Sequence, residues 1–226
     1  MLSEETAEQF LDQSFAEKVL MASTITNVVF DIGNVLIEWN PENLYRKLIP
    51  NDDERHEFLT TVCTPDWNVQ QDLGRTWTEA VKLLSSEFPE KVELIRAYSD
   101  RWHEMVPGPV PGTEALLSEL RTNKIPLYAI TNFSSEKFIE AQDRFPYLKT
   151  SFLDIVVSAE ERMLKPDVRI YQILIDRNDL APERCLFIDD SLPNVETARR
   201  LGMTAHHFKN AAGLERELAA LNLIMR

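Results

Sequence analysis

The chain has 226 residues, 44% of them hydrophobic, and its 24 basic and 37 acidic side chains leave a net charge of −13. That length buries a full core without disulfides, and Cys63 and Cys185 form no CxxC pair, which excludes a cysteine-based metal site and fits a reducing cytoplasm. The acidity excludes nucleic acid as partner, no run of eighteen or more apolar residues would span a membrane, and no basic secretory start is present, so a soluble cytoplasmic protein is expected.

Residues 1–23 read as an acidic amphipathic helical extension with Phe10, Leu11 and Phe15 on its apolar side. Such a face can support self-association, so a monomer or a homodimer is expected. Asn27 to Phe30 is a short apolar run that reads as a buried parallel strand. From Pro41 to Met105, Leu, Glu, Trp and Arg recur at helical spacing with no strand until the cluster Pro107-Gly108-Pro109-Val110-Pro111-Gly112. Residues 41–106 are therefore expected to form a helical cap, inserted into a core of residues 24–40 and 107–226. Packing of these helices against one sheet face is the alternative. Beyond the Pro/Gly cluster, strands are expected at Pro126 to Ile130, Leu153 to Val157, Arg184 to Ile188 and Met203 to His206. Between them, Thr113 to Arg121, Ser135 to Gln142, Val168 to Arg177 and Asn194 to Leu201 have amphipathic helical spacing. This rhythm predicts an α/β fold, a Rossmann-like doubly wound parallel sheet core with an inserted helical cap domain.

In open parallel sheets, residues that follow the strands converge on one crevice. Asp31 ends Val28-Val29-Phe30-Asp31, Thr131 ends Ala129-Ile130-Thr131, and Asp189-Asp190 ends Leu186-Phe187-Ile188. Lys165 precedes Pro166 in a loop ahead of a helix starting near Asp167, within reach of the same crevice. An aspartate so placed can attack phosphorus and split hydrolysis into two easier displacements. The transferred phosphoryl group needs a metal ion, an ammonium and hydrogen-bond donors. Asp31 and Asp190 can share Mg²⁺, Lys165 can supply the ammonium and Thr131 a donor. Singly, each has an ordinary reading: Asp31 and Asp190 as helix caps, Lys165 as an exposed lysine. Adjacent acids after a buried strand repel each other, however, and a divalent cation relieves that repulsion.

From about Thr26 to near Phe208 these four segments resemble the haloacid dehalogenase superfamily, most of whose members are capped phosphatases. The resemblance implies Asp31 as nucleophile, with Thr131, Lys165 and Asp189-Asp190 as the second, third and fourth motifs. It further implies Mg²⁺ held by Asp31, Asp190 and the Gly33 carbonyl, with Asp189 supporting from behind. Asn132, Asn34 and Trp39 are expected to face the substrate, a small phosphorylated metabolite. One departure is informative: such phosphatases usually carry an acid/base aspartate two residues after the nucleophile, where this chain has Gly33. The missing group is worth about 10²- to 10⁴-fold. Phe30-Asp31-Ile32-Gly33-Asn34-Val35 resembles instead an Asp-x-Gly-Asn subgroup that includes glucose-1-phosphate phosphatases. Asn34 can orient water but cannot take up its proton. The site is expected to be shaped around glycine, so Gly33→Asp is not expected to make a better enzyme.

The expected function is thus a Mg²⁺-dependent phosphatase acting on a small phosphomonoester such as a sugar phosphate. Two alternatives stay open. A 2-haloacid dehalogenase would attack carbon with Asp31 and need no metal; the absence of a Tyr-Gly-Thr stretch and the presence of Asp189-Asp190 speak against it. A degenerate member that binds a ligand or protein without turnover is kept open by Gly33. In the helical region Arg75 can clamp a second anion, although solvent exposure is the commoner fate of an arginine, Trp67, Trp77 and Trp102 are expected in the core, and His206 and His207 are expected to be structural.

Overall fold

The computed structural model describes residues 24–225, so the helical extension expected at 1–23 lies outside the described residues. Five strands form one sheet: β1 (Asn27–Phe30), β2 (Leu127–Thr131), β3 (Asp154–Val157), β4 (Cys185–Asp189) and β5 (Thr204–His207). Their order is β3-β2-β1-β4-β5 and every pairing is parallel. The chain builds outward from β1 to β3, then returns to the far side of β1 for β4 and β5. That reversal opens a crevice at the carboxyl end of β1, between β2 and β4.

Alternation along the strands sorts the core into two layers. Val28, Phe30, Leu127, Ala129, Leu186 and Ile188 pack on one face and Val29, Tyr128, Ile130 and Phe187 on the other. The sheet is thus covered on both sides, as near-continuous apolar strands require. Expected strands and observed ones agree in number and place among the described residues, but β2, β4 and β5 each end one residue later than expected. Thr131 pairs with Val157 and Asp189 with His207, because the backbone ladder continues regardless of side-chain polarity.

Five helices lie between β1 and Pro107: α1 (Glu42–Leu48), α2 (Asp52–Thr61), α3 (Pro65–Asp72), α4 (Trp77–Glu87) and α5 (Val92–Asp100). Asn51, Thr64 and Thr76 cap α2, α3 and α4 by accepting from backbone N–H groups three residues on. Trp67, Trp77 and Tyr98 bring these helices together, with ring centroids 5.2 to 5.7 Å apart. The group is tied to the strand ends. Trp77 donates from Nε1 to Ser134 Oγ at 2.9 Å, just past β2, and Ser158 Oγ, just past β3, donates to the Asp72 carbonyl at 2.6 Å.

The remaining helices are α6 (Thr113–Thr122), α7 (Ser135–Arg144), the short α8 (Tyr147–Thr150) and α9 (Ser158–Glu161), α10 (Val168–Asn178), α11 (Leu192–Arg200) and α12 (Ala211–Ala220). Helix α12 was not expected from the sequence, although its signals are there: Asn210 caps it, and Leu214 and Leu218, four residues apart, are its buried face. Among the described residues no helix is long and apolar enough to cross a membrane.

Candidate active site

The crevice at the end of β1 holds a buried cluster of charge. Asp31, 8% exposed, follows β1 and accepts on Oδ1 from the Ile32 N–H at 2.7 Å. Lys165 Nζ lies 2.9 Å from that same oxygen and 2.7 Å from Asp189 Oδ2. Among the described residues Asp31 Oδ2 accepts no hydrogen bond. Asp189, fully buried at the end of β4, is saturated: the Ser191 N–H donates to Oδ1 at 2.8 Å, and Asn194 Nδ2 reaches both oxygens at 3.0 and 3.1 Å. Asn132 holds the lysine in place. Its Oδ1 accepts from the Lys165 N–H at 2.8 Å and its Nδ2 donates to the Lys165 carbonyl at 3.0 Å. Thr131 ends β2 with its hydroxyl buried and, among the described residues, without a hydrogen-bond partner; it lies at the strand end under the cavity and is not itself part of the cavity wall.

The electrostatics follow from this crowding. Burial raises the Asp31 pKa from 3.8 to about 7; Lys165 pulls it down, while Asp189 and Asp190 push it further up. Burial also disfavours the Lys165 charge, but Asp31 and Asp189 outweigh it and hold its pKa above the ordinary lysine value. Asp190 is raised too, by burial first and by Asp189 second. Oxygens of Asp31, Asp189 and Asp190 lie within 4.8 Å of one another, with a single ammonium among them. Three carboxylates against one cation is a donor set that fits a divalent oxygen-seeking ion.

A cavity of about 500 Å³ opens above the cluster. Asp31, Gly33, Asn34 and Trp39 line it from the loop after β1; Asn68, Asp72, Trp77 and Trp102 from the inserted helices; Asn132, Lys165, Asp190 and Asn194 from the remaining loops. Asn34 stands at φ 54 and its Oδ1 accepts from the Trp39 N–H at 2.9 Å, which folds the loop so that Trp39 faces the cavity. Trp77 and Trp102, expected in the core, are buried and also form cavity wall.

Two expectations are corrected. Arg75 does not reach the cavity: its guanidinium donates to Gln71 Oε1 at 2.7 Å and the Trp67 carbonyl at 2.9 Å, closing the turn after α3. Gly33 is not tightly enclosed either, since a Cβ built there meets nothing within 4 Å. Gly33→Asp is accordingly expected to fold with a stability within about 1 kcal/mol of the parent, checked by urea unfolding. His207 Nε2 lies 2.9 Å from the Asp190 carbonyl, to which it donates when that nitrogen carries the proton, and His207 does not line the cavity.

Known proteins resemble this chain along most of its length. Sesquiterpene phosphatase astK of Aspergillus oryzae is 26% identical over 207 residues, covering 89% of this chain and 98% of its own. Phosphorylated carbohydrates phosphatase of Thermotoga maritima is 24% identical over 188 residues, covering 78% and 81%. A haloacid dehalogenase family enzyme from Bacteroides thetaiotaomicron, solved with magnesium and inorganic phosphate, shares the fold with a TM-score of 0.62 at 21% identity, over 82% of this chain and 95% of that one. The family model for haloacid dehalogenase-like hydrolases matches residues 25–202. Because that match runs from ahead of β1 past the end of α11 and takes in every strand but β5, the chain belongs to the haloacid dehalogenase-like hydrolase family.

Proposed function

We propose that this hydrolase is a Mg²⁺-dependent phosphatase, which cleaves a small phosphomonoester through an aspartyl-phosphate on Asp31. The observation that carries the reading is the buried Asp31–Lys165–Asp189 cluster under the cavity, with Asp31 Oδ2 accepting no hydrogen bond among the described residues. Lys165 pulls the Asp31 pKa down against burial and fixes its Oδ1, so Oδ2 is the nucleophilic oxygen. Asp31, Asp190 and the Gly33 carbonyl would hold Mg²⁺, while Asp189, saturated by Lys165, Ser191 and Asn194, positions the lysine. When bound, Mg²⁺ supplies positive charge that offsets the negative charge on the phosphoryl oxygens. The Thr131 hydroxyl donates to one of those oxygens.

Residues 41–106 act as the cap of a capped phosphatase, whose helices wall off the phosphate from bulk water. Trp39, Trp77, Trp102 and Phe133 make the upper cavity aromatic, and Lys165 is the sole cation among the described residues that line it. That pairing favours an ester with one phosphate and an uncharged remainder; a sugar and a terpenoid alcohol both meet it, in keeping with the activities named for the relatives. Asn34 and Trp39 take part on the substrate side, and Asn132 acts through Lys165. The Asp-x-Gly-Asn resemblance points the same way. Buried, unpaired Cys63 and Cys185 suit a reducing compartment such as the cytoplasm.

Phosphate release from sugar phosphates, prenyl monophosphates and an aryl phosphate, with Mg²⁺ and with EDTA, tests the proposal. Release that EDTA abolishes supports it; release unaffected by EDTA, or none from any ester, removes it. Asp190→Ala is expected to lower kcat/KM at least about a hundredfold and to raise the Mg²⁺ concentration needed for half-maximal rate.

A further inference from the structure

We propose that Asp72, on the inserted helices, is the catalytic acid and base of this site, in place of the carboxyl that Gly33 lacks. The proposal rests on the phosphatase reading above. Asp72 ends α3 and lines the same cavity as Asp31, Lys165 and Asp190. It reaches that cavity from the cap side, where the leaving group of a phosphoryl transfer from ester to Asp31 would lie.

Its position is held to the core. The Asp72 carbonyl accepts from Ser158 Oγ at 2.6 Å, and the same Oγ accepts from the Phe133 N–H at 2.9 Å, so one hydroxyl links α3 to the loop after Thr131 and Asn132. Two residues on, Gly74 stands at φ +100, and a Cβ there would meet the Ala159 carbonyl at 2.8 Å. The turn is therefore pressed directly onto the end of β3. The carboxyl itself accepts from Asn68 Nδ2 at 3.3 Å and from the Ser134 backbone.

No lysine, arginine or histidine is among these partners, which separates Asp72 from an ordinary structural carboxylate. Burial lifts its pKa from 3.8 to about 7, with the Ser134 backbone bond opposing the rise. The other ionisable groups around it are Tyr98 of α5, whose own pKa is pushed well up by burial, and Asp31, Lys165 and Asp190 across the cavity. A carboxyl poised near neutrality can give a proton in one step and take one in the next.

In the first step Asp31 Oδ2 forms a bond to phosphorus as the ester P–O bond breaks, and the Asp72 proton passes to the leaving oxygen. In the second, water attacks the phosphorus, its proton returns to Asp72, and the bond to Asp31 breaks to release inorganic phosphate. Both carboxyls end as they began.

Leaving-group dependence under single-turnover conditions tests the assignment, because a nitrophenolate departs without protonation and an alkoxide does not. For Asp72→Asn, alcohol release from an alkyl phosphate is expected to slow by about 10²- to 10⁴-fold. Nitrophenol release from nitrophenyl phosphate should slow by less than about tenfold, with aspartyl-phosphate then accumulating. Asp72→Glu, which keeps a carboxyl, should retain the wild-type insensitivity to leaving group at a lower rate. Equal losses on both esters in the two variants, or no loss on the alkyl ester, would overturn the assignment while leaving the phosphatase reading intact. Absence of phosphate release from the wild-type protein would overturn both. Thermal melts of the variants show that the fold is kept.

Discussion

Asp31→Asn is expected to reduce phosphate release at least about 10⁴-fold, since the amide cannot form the acyl-phosphate. The fold should survive. The Asp31 carboxyl titrates at about 7 in the fold against 3.8 as an ordinary aspartate, so it prefers to be neutral there. The fold accordingly gives up stability as pH rises between those values, and a neutral amide avoids that loss. Lys165 keeps Asp189 at 2.7 Å as its counter-charge. Unchanged circular dichroism with no turnover is the expected pair of results, and normal activity in this variant would remove the mechanism.

Lys165→Met carries the largest expected cost to stability. Its removal strands Asp31 and Asp189, both buried, without the ammonium that lies within 2.9 Å of each. Breaking such a pair from one side costs about 3–5 kcal/mol. Activity should vanish as well, because the ammonium that offsets phosphoryl charge goes with it. The sign with pH is distinctive. Asp31 is raised in its pKa even with the lysine present and rises further without it, so in the variant Asp31 takes up a proton at higher pH, and the penalty should shrink as pH falls towards about 7. Urea unfolding at pH 8 and pH 5 checks this; an equal penalty at both would show that lost packing against Phe187, 5.8 Å from the ammonium, outweighs charge.

The sheet and its cluster were legible because each depends on local pattern. Apolar runs mark buried strands, and the fold places whatever follows them in one crevice, so Asp31, Thr131 and Asp189-Asp190 could be read without coordinates. Strand ends at Thr131 and Asp189 could not, since ladder pairing is a property of two strands and not of one run. Asp72 and Asn68 were hidden for a related reason. In Trp67-Asn68-Val69-Gln70-Gln71-Asp72 they look like solvent-facing helix polars, and only the packing of α3 on the ends of β2 and β3 turns them into cavity wall. Neither reading of Arg75, as clamp or as exposed side chain, foresaw that its guanidinium folds back onto the preceding α3, because its partners there, the Gln71 side-chain oxygen and the Trp67 carbonyl, carry no sequence signature. The role of Asn194 likewise became readable only once its amide was seen on Asp189.

Covalent capture of the phosphoryl group tests the mechanism most directly. Enzyme in excess over a phosphomonoester that it hydrolyses would be quenched within the first turnover, reduced with borohydride, and digested for mass spectrometry. Reduction of an acyl-phosphate at position 31, dependent on Mg²⁺ and absent from Asp31→Asn, is the expected result. Phosphate release with Asp31 unmodified and the phosphoryl group found on another residue would contradict it.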